Sequence, residues 1–156
     1  KAYAQMIETA EKQGTQIVSA AQNMAFTLGR ARVTFIGPAR TQHTDSRDDG
    51  LTLRIDYGQT SVVVTGCITS NGEKEIVSSG AAAACDALIV SRGGTEAATC
   101  AEWVEAAKPK VALITGKNPA NSVRIRLQKY GATVYAAKEN GVMTLFSDGQ
   151  EITVEP

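Results

Sequence analysis

The sequence lacks an excess of either charge, because 16 lysine and arginine residues are balanced by 16 aspartate and glutamate residues. Proteins that bind nucleic acid or anionic membranes over a broad surface normally carry a clear basic excess. Long apolar runs are also missing. Stretches such as Ala81–Cys85 are far shorter than the roughly 20 residues that a membrane-spanning helix needs. The composition therefore predicts no membrane segment in this chain and leaves room only for local basic clusters.

Cysteine and histidine are scarce, which limits disulfides, metal sites and common catalytic devices. The three cysteines (Cys67, Cys85 and Cys100) form an odd set without CxxC spacing, so neither a disulfide framework nor a zinc knuckle is expected. The single histidine, His43, lies among acidic residues in the polar segment 39–50. One imidazole in such a loop is a poor basis for a metal site, and we expect these side chains to be solvated.

The chain is long enough for one globular domain with a substantial core, and 43% of its residues are hydrophobic. No internal repeat, low-complexity segment or linker divides residues 1–156, so we expect a single domain. The sequence starts at Lys1 rather than at methionine, from which we expect it to be part of a longer polypeptide. The composition does not indicate a cellular compartment.

Strands alternate with helices in the second half of the chain. Asp86–Val90, Lys110–Thr115 and Thr133–Ala136 are predicted strands, and they are separated by predicted helices at Thr95–Lys108, with Thr95 as the N-cap, and Asn121–Tyr130. Strands that are joined through helices pair in parallel, so this pattern predicts an α/β fold.

Hairpins at both ends of this region predict antiparallel strands at the edges of the sheet. Leu51–Tyr57 alternates apolar and polar residues and is joined to Thr60–Thr65 by a short turn. Val142–Phe146 and Glu151–Val154 flank Asp148-Gly149, a strong hairpin signal. The other predicted elements are helices at Tyr3–Lys12 and Glu73–Ser79 and strands at Gln16–Ser19 and Arg32–Ile36.

Three polar loops follow successive predicted strands: Thr65–Cys67, Ser91–Gly94 and Gly116–Pro119. The carboxyl ends of parallel strands meet at one edge of a sheet, where ligands of α/β proteins bind. Cys67 would need a nearby base or cation to act as a nucleophile or metal ligand. The alternative is a small, partly buried residue at a strand end.

Arg92 and Lys117 are the residues of these loops that could hold an anion. Backbone N–H groups of Gly93, Gly94 and Thr95, at the start of the predicted helix, would assist because helix N-termini favour negative charge. The stretch matches neither GxxxxGK[ST] nor GxGxxG, and a glycine pair in a tight turn accounts for it equally well.

Four consecutive stretches resemble the carboxyl-terminal half of metallo-β-lactamase-fold domains: GLTLRIDYGQTSVVVTGC, CDALIVSRGGT, KPKVALITGKN and LQKYGATVYAAKENGVMTLFSDGQEITVE. The similarity is greatest to the hydrolase-like domain of ComEC-type DNA-uptake proteins and extends from about Ala2 to Glu155. It implies half of an αβ/βα sandwich, with a mixed sheet, edge hairpins and flanking helices, whose amino-terminal half is absent from this chain. Intact members of the family hold zinc or manganese at the sheet edge.

The resemblance also implies a degenerate metal centre. The first metal ligands of the family come from an HxHxDH motif, which this sequence lacks. Cys67 stands where the family has the aspartate of a TGD motif, and Ser91–Thr95 corresponds to a PHHGS stretch. A later histidine of the family would fall just after Gly116-Lys117-Asn118, where this sequence has Pro119. Cysteine is a ligand in some members, so Cys67 is the one metal-ligand candidate. Arg92 at a former ligand position would repel a cation.

These comparisons favour a domain without a metal centre that acts in binding or assembly, with no cofactor and no catalytic residue of its own. One alternative is a metal-dependent hydrolase, namely a phosphodiesterase acting on nucleic acid, whose main ligands lie in a segment missing from this chain. Another is an anion-binding module. We expect the sheet face that the missing half would cover to pair with that half or with a second copy of the chain, or else to be an exposed apolar patch.

Overall fold

The computed structural model describes residues 2–155, which form a seven-stranded mixed sheet, a separate two-stranded hairpin and five α-helices. The strands of the large sheet are β1 (Ala25–Leu28), β2 (Ala31–Gly37), β3 (Thr52–Tyr57), β4 (Thr60–Val64), β5 (Ala87–Ile89), β6 (Val111–Ile114) and β7 (Thr133–Ala136). The separate hairpin consists of β8 (Thr144–Ser147) and β9 (Ile152–Glu155). The helices are α1 (Ala2–Lys12), α2 (Ser70–Ser78), α3 (Ala101–Ala107), α4 (Asn121–Lys129) and α5 (Ala137–Asn140), and short 3₁₀ turns occur at Ser46–Asp49 and Ser91–Gly94.

The order of the strands in the sheet follows the order in the chain, from β1 to β7. Strands β1 to β4 are antiparallel neighbours, and β4 to β7 pair in parallel through crossovers that contain α2, α3 and α4. This arrangement confirms the predicted α/β fold with a mixed sheet. None of the helices in residues 2–155 has the length and apolar character required to cross a membrane.

The helices bury one face of the sheet. Trp103 of α3 and Leu127 of α4 are completely buried, and they belong to the same apolar cluster as Val63, Leu88 and Ile114 from the central strands. Successive side chains of a strand point to opposite faces, so these alternate positions define the helix-covered side of the sheet.

The opposite face of the sheet is apolar, and we call it the open face. Val33, Ala87 and Leu113 on this face are buried, whereas eight other side chains are half-buried. Side chains on this face alternate along each strand with those that point into the core. These eight half-buried residues, none of which belongs to the core cluster, are Phe35, Leu53, Ile55, Val62, Val64, Ile89, Val111 and Tyr135. No charged residue occupies a strand position on this face within residues 2–155.

Two predicted elements are wrong. The segment Gln16–Ser19 is not a strand, because it is exposed and pairs with no other strand. The strand that pairs with β2 is β1, which begins nine residues after Gln16. The helix predicted at Thr95–Lys108 contains only Ala101–Ala107. Thr99 has a positive φ of 59°, which is incompatible with a continuous α-helix. The residues before Thr99 therefore do not form the helix that their apolar spacing predicted.

The turn between β3 and β4 is in close contact with the hairpin of β8 and β9. The amide of Gln59 donates to the carbonyl oxygen of Gly149 at 2.6 Å, and the Thr60 and Ser147 hydroxyl oxygens are 2.6 Å apart. A Cβ atom on Gly58 would clash with the backbone of Gly149. The absence of a side chain at Gly58 therefore allows the hairpin to pack at this end of the sheet.

We predict that Gly58→Ala destabilises the protein by more than the conformational cost alone. Gly29 is a matched control, because it has the same φ of +60° as Gly58 and no atom within 4 Å of its added Cβ. Alanine at either position should cost roughly 1 kcal/mol for the left-handed backbone, and Gly58→Ala should cost a further 1–3 kcal/mol, approximately, for overpacking. Urea unfolding of both variants tests this, and equal losses would contradict it.

Candidate functional site

The loops that follow β4, β5 and β6 are in direct contact at one edge of the sheet. The amide of Arg92 donates to the carbonyl oxygen of Gly66 at 3.0 Å. The amide of Ala120 donates to the carbonyl oxygen of Gly94 at 2.8 Å, which connects the loop after β6 with the loop after β5. We refer to these three loops together as the strand-end corner. Its segments are residues 65–67, 91–94 and 116–119.

Glycines allow the backbones of the strand-end corner to approach closely. A Cβ atom on Gly93 would lie 2.6 Å from the Cα atom of Gly116, and a Cβ atom on Gly116 would overlap the carbonyl oxygen of Gly93. Gly93 also has a φ of +61°, which favours glycine. Ser91 is buried, and its hydroxyl donates to the carbonyl oxygen of Ile68 at 2.5 Å. Backbone packing and neutral hydrogen bonds therefore hold the corner together.

The side chains predicted to form a site have different surroundings in the corner. Cys67 and Lys117 are exposed, whereas Arg92 is half-buried with a left-handed φ of 50°. Asp45, from the loop between β2 and β3, also interacts with the corner. Its pKa is lowered to about 2, mainly by hydrogen bonds from Arg47 and partly by the charge of Arg92. An anion that binds at Arg92 would compete with this carboxylate.

The helix N-terminus expected at Thr95 is not part of the strand-end corner. Helix α3 begins at Ala101, and Thr95 follows the 3₁₀ turn of the corner instead. The amides of Thr99 and Cys100, which precede the first turn of α3, donate to the carboxylate of Glu73 at 2.6 and 2.8 Å. A carboxylate of the protein therefore occupies the position at which a helix would receive an anion. The predicted helix N-terminus at Thr95 therefore cannot assist anion binding. The anion-binding role of Arg92, Gly93, Gly94, Thr95 and Lys117 stays a prediction.

The strand-end corner does not have the donors that a metal ion requires. Within residues 2–155, no group of three or more histidine, cysteine, aspartate and glutamate side chains is arranged to hold a metal ion. Zinc sites in proteins commonly have three or four protein ligands. The corner offers the exposed thiol of Cys67 next to a loop that carries Arg92, and this donor set does not fit zinc or manganese.

The thiols differ in exposure and therefore in reactivity. Burial raises the pKa of Cys85 and of Cys100 to about 12, so both are protonated at neutral pH. Cys67 is the exposed cysteine of the three, and none of them forms a disulfide. The thiolate is the reactive form of cysteine. Among the three cysteines, Cys67 is the one that solvent reaches, and it lies in the strand-end corner.

The polar loop between β2 and β3 is held against α2, contrary to the expectation that its side chains are solvated. The imidazole of His43 is only 4% exposed. Its Nδ1 atom is 2.8 Å from Oδ1 of Asp49, and its Nε2 atom is 2.7 Å from Oε2 of Glu75 in α2. Arg40 donates two further hydrogen bonds to Glu75. Loop and helix together line an open polar cavity of about 700 Å³.

Asp48 attaches the same loop to the start of α2. It is 4% exposed, and its carboxylate accepts hydrogen bonds from the amide and the hydroxyl of Thr69 at 2.7 and 2.9 Å. Thr69 is the N-cap of α2. A negative charge at a helix N-terminus is favourable, because the free N–H groups there carry partial positive charge. Asp48 therefore anchors the end of the loop that is nearest to β3.

Glu73 is a completely buried carboxylate of α2 that caps the beginning of α3. Its pKa is raised to about 7, because burial penalises the ionised form more than the hydrogen bonds from Cys100 and Thr99 favour it. Sequence reasoning missed this role. Ser70 followed three residues later by Glu73 has the spacing of a capping box and could have located the start of α2 to within one residue, but the carboxylate reaches the start of α3 instead.

The chain is similar to ComE operon protein 3 of Bacillus subtilis (strain 168), with 23% identity over 144 residues. The alignment covers 88% of this chain, and the chain spans only 19% of the length of that relative. No protein-family model matches the chain. The similarity confirms a distant relationship with a competence protein, as the sequence predicted.

We predict that Glu73 makes the protein less stable as the pH rises from about 4.5 to about 7. Its pKa in the folded state is raised from the ordinary value of 4.5 to about 7, so folding favours the protonated form and this contribution is lost as the carboxyl ionises. The difference in unfolding free energy between wild type and Glu73→Gln should fall by about 3 kcal/mol across this range and level off above it.

Urea unfolding at several pH values measures this difference. Glu105→Gln, at an exposed position of the same α3 that Glu73 caps, is the matched control and should follow the wild-type profile. A difference between wild type and Glu73→Gln that does not change with pH would contradict the assignment of the titration to Glu73.

Proposed function

We propose that this chain is the carboxyl-terminal half of a metallo-β-lactamase-like domain of the ComEC type, without a metal centre, and that it serves as a non-catalytic binding or assembly module. The observation that carries this proposal is the chemistry of the strand-end corner. Where the family holds its second set of metal ligands, the chain has Cys67, Arg92 and Pro119. The distant similarity to ComE operon protein 3 supports a competence-related role.

The chemistry of the corner argues against a dication. A catalytic zinc commonly keeps three protein ligands and a water molecule, and the corner supplies one thiol. The negative charge of Asp45 in the polar loop is stabilised mainly by Arg47 and, more weakly, by the Arg92 guanidinium, so this carboxylate is already paired with cations of the protein. Gly93 contacts Gly116 in the corner, and backbone hydrogen bonds join its three loops.

Metal analysis of the purified chain tests the loss of the metal centre. We expect substoichiometric zinc and manganese in the chain alone and in a longer version that includes the natural upstream residues. Near-unit stoichiometry in the chain alone would overturn the proposal. Near-unit stoichiometry only in the longer version would favour the alternative, a metal-dependent phosphodiesterase acting on nucleic acid whose main ligands precede this chain.

The open face of the sheet is the surface that we propose for assembly. It is an apolar layer from β2 to β7 in which eight side chains are half-buried and three are buried, and its strand positions carry no charge within residues 2–155. Partly exposed apolar side chains that lie next to one another are typical of an interface. We propose that the amino-terminal half of the domain packs here, as the resemblance to the family implies.

Co-expression with the upstream region tests this surface. The two polypeptides should co-purify in equal amounts, and Val62→Lys at the centre of the open face should prevent this by placing a charge in an apolar interface. Ile125→Lys is the matched control, because Ile125 is 57% exposed on α4 and lies outside the open face. Self-association that Val62→Lys abolishes would favour a second copy as the partner instead. The proposed interface would be contradicted if the chain neither co-purified with the upstream polypeptide nor associated with itself.

A further inference from the structure

The single histidine of the chain lies between two carboxylates that belong to different parts of the fold. Asp49 ends the 3₁₀ turn of the polar loop, and Glu75 lies in the middle of α2, 32 residues from His43. The two ring nitrogens are within hydrogen-bond distance of one carboxylate each, at 2.8 and 2.7 Å. The imidazole therefore bridges the loop and the helix.

This geometry is satisfied only by the charged form of His43. An imidazolium has two N–H donors, whereas a neutral imidazole has one donor and one lone pair. In the neutral form, the lone pair of one nitrogen would face a carboxylate oxygen of Asp49 or Glu75, and a hydrogen bond would become a repulsive contact. Protonation of His43 therefore decides whether the bridge is attractive at both ends.

The bridge is one of two attachments that join the amino-terminal part of the loop to Glu75 of α2; the other is Arg40. Asp48 is buried and anchors the carboxyl-terminal end of the loop to Thr69. The preceding residues 40–47 are attached to α2 through His43 and Arg40, which both contact Glu75. The same residues line the polar cavity, and Asp45 among them interacts with Arg92 of the strand-end corner.

We propose that His43 is a pH-sensitive clasp: its protonated ring holds residues 40–47 against α2, and loss of the proton leaves Arg40 as the remaining attachment to Glu75, so that this segment opens more often and the polar cavity widens. The proposal goes beyond the binding role inferred above and does not depend on it. The groups that act on the ring are Asp49 from the loop, Glu75 from α2, and Arg40, whose positive charge opposes protonation.

The direction of the titration agrees with this role. Hydrogen bonds to Asp49 and then to Glu75 raise the pKa of His43 above its ordinary value of 6.5, against the opposing effects of burial and Arg40. The pKa of Asp49 is lowered by His43, and that of Glu75 is lowered first by Arg40 and then by His43. A raised histidine pKa stabilises the closed loop at low pH, and this contribution is lost as the pH rises through the raised value.

The test uses NMR of the wild-type chain, in which one histidine produces one set of imidazole signals. We expect a titration midpoint above 6.5. We also expect faster amide exchange of residues 40–47 above this midpoint, after correction for the intrinsic effect of pH. By linkage, each unit of increase in the pKa corresponds to a tenfold change in loop opening, approximately. A midpoint at or below 6.5, or exchange that does not change across the titration, would overturn the proposal.

Two variants with opposite expected effects separate the clasp from general electrostatics. Glu75→Gln removes a carboxylate that favours the imidazolium, so the midpoint of His43 should fall. Arg40→Gln removes the opposing cation and leaves both carboxylates in place, so the midpoint should rise or be retained. A fall in both variants would contradict the assigned contacts. If either variant does not fold, the wild-type titration and exchange still decide the outcome.

Discussion

The buried carboxylate of Glu73 is the interaction on which the arrangement of the helix layer depends. Free N–H groups at the start of a helix need acceptors when they are buried. The two carboxylate oxygens of Glu73 accept hydrogen bonds from the amides of Thr99 and Cys100, the two residues that precede α3. Glu73 thereby joins α2 to α3 and determines where α3 begins. The chain from Ser91 to Cys100 forms turns rather than a helix, with left-handed φ angles at Arg92 and Thr99, so Arg92 lies in a tight corner instead of at a helix N-terminus.

Carboxylates also attach the loops around the candidate site. Asp48 anchors the polar loop to α2, and Asp49 and Glu75 each lie within hydrogen-bond distance of the His43 ring. The strand-end corner itself is held by the close contact of Gly93 with Gly116. Carboxylates thus attach the polar loop to α2, whereas backbone contacts between glycines hold the strand-end corner together.

Elements with a strong local pattern could be predicted from the sequence. The alternating residues of β3, the valine-rich β4 and the strands β5 to β7 lie close to the expected positions. The strand at Gln16–Ser19 and the long helix from Thr95 were wrong, because their formation depends on a pairing strand and on Glu73, which is distant in sequence. The gathering of the three loops followed from parallel topology, whereas the burial of His43 between Asp49 and Glu75 had no local signal.

The sequence by itself determined the fold class, the mixed sheet and the residues at the strand ends, because periodicity and turn residues act over a few neighbouring positions. It also determined that few histidine and cysteine side chains could bind a metal ion, because the number of such residues is the same in any fold. Only the tertiary structure decided which carboxylates are buried, where α3 begins, which sheet face the helices cover and what surrounds His43. These features depend on contacts between residues tens of positions apart, and such contacts exist only after the chain has folded.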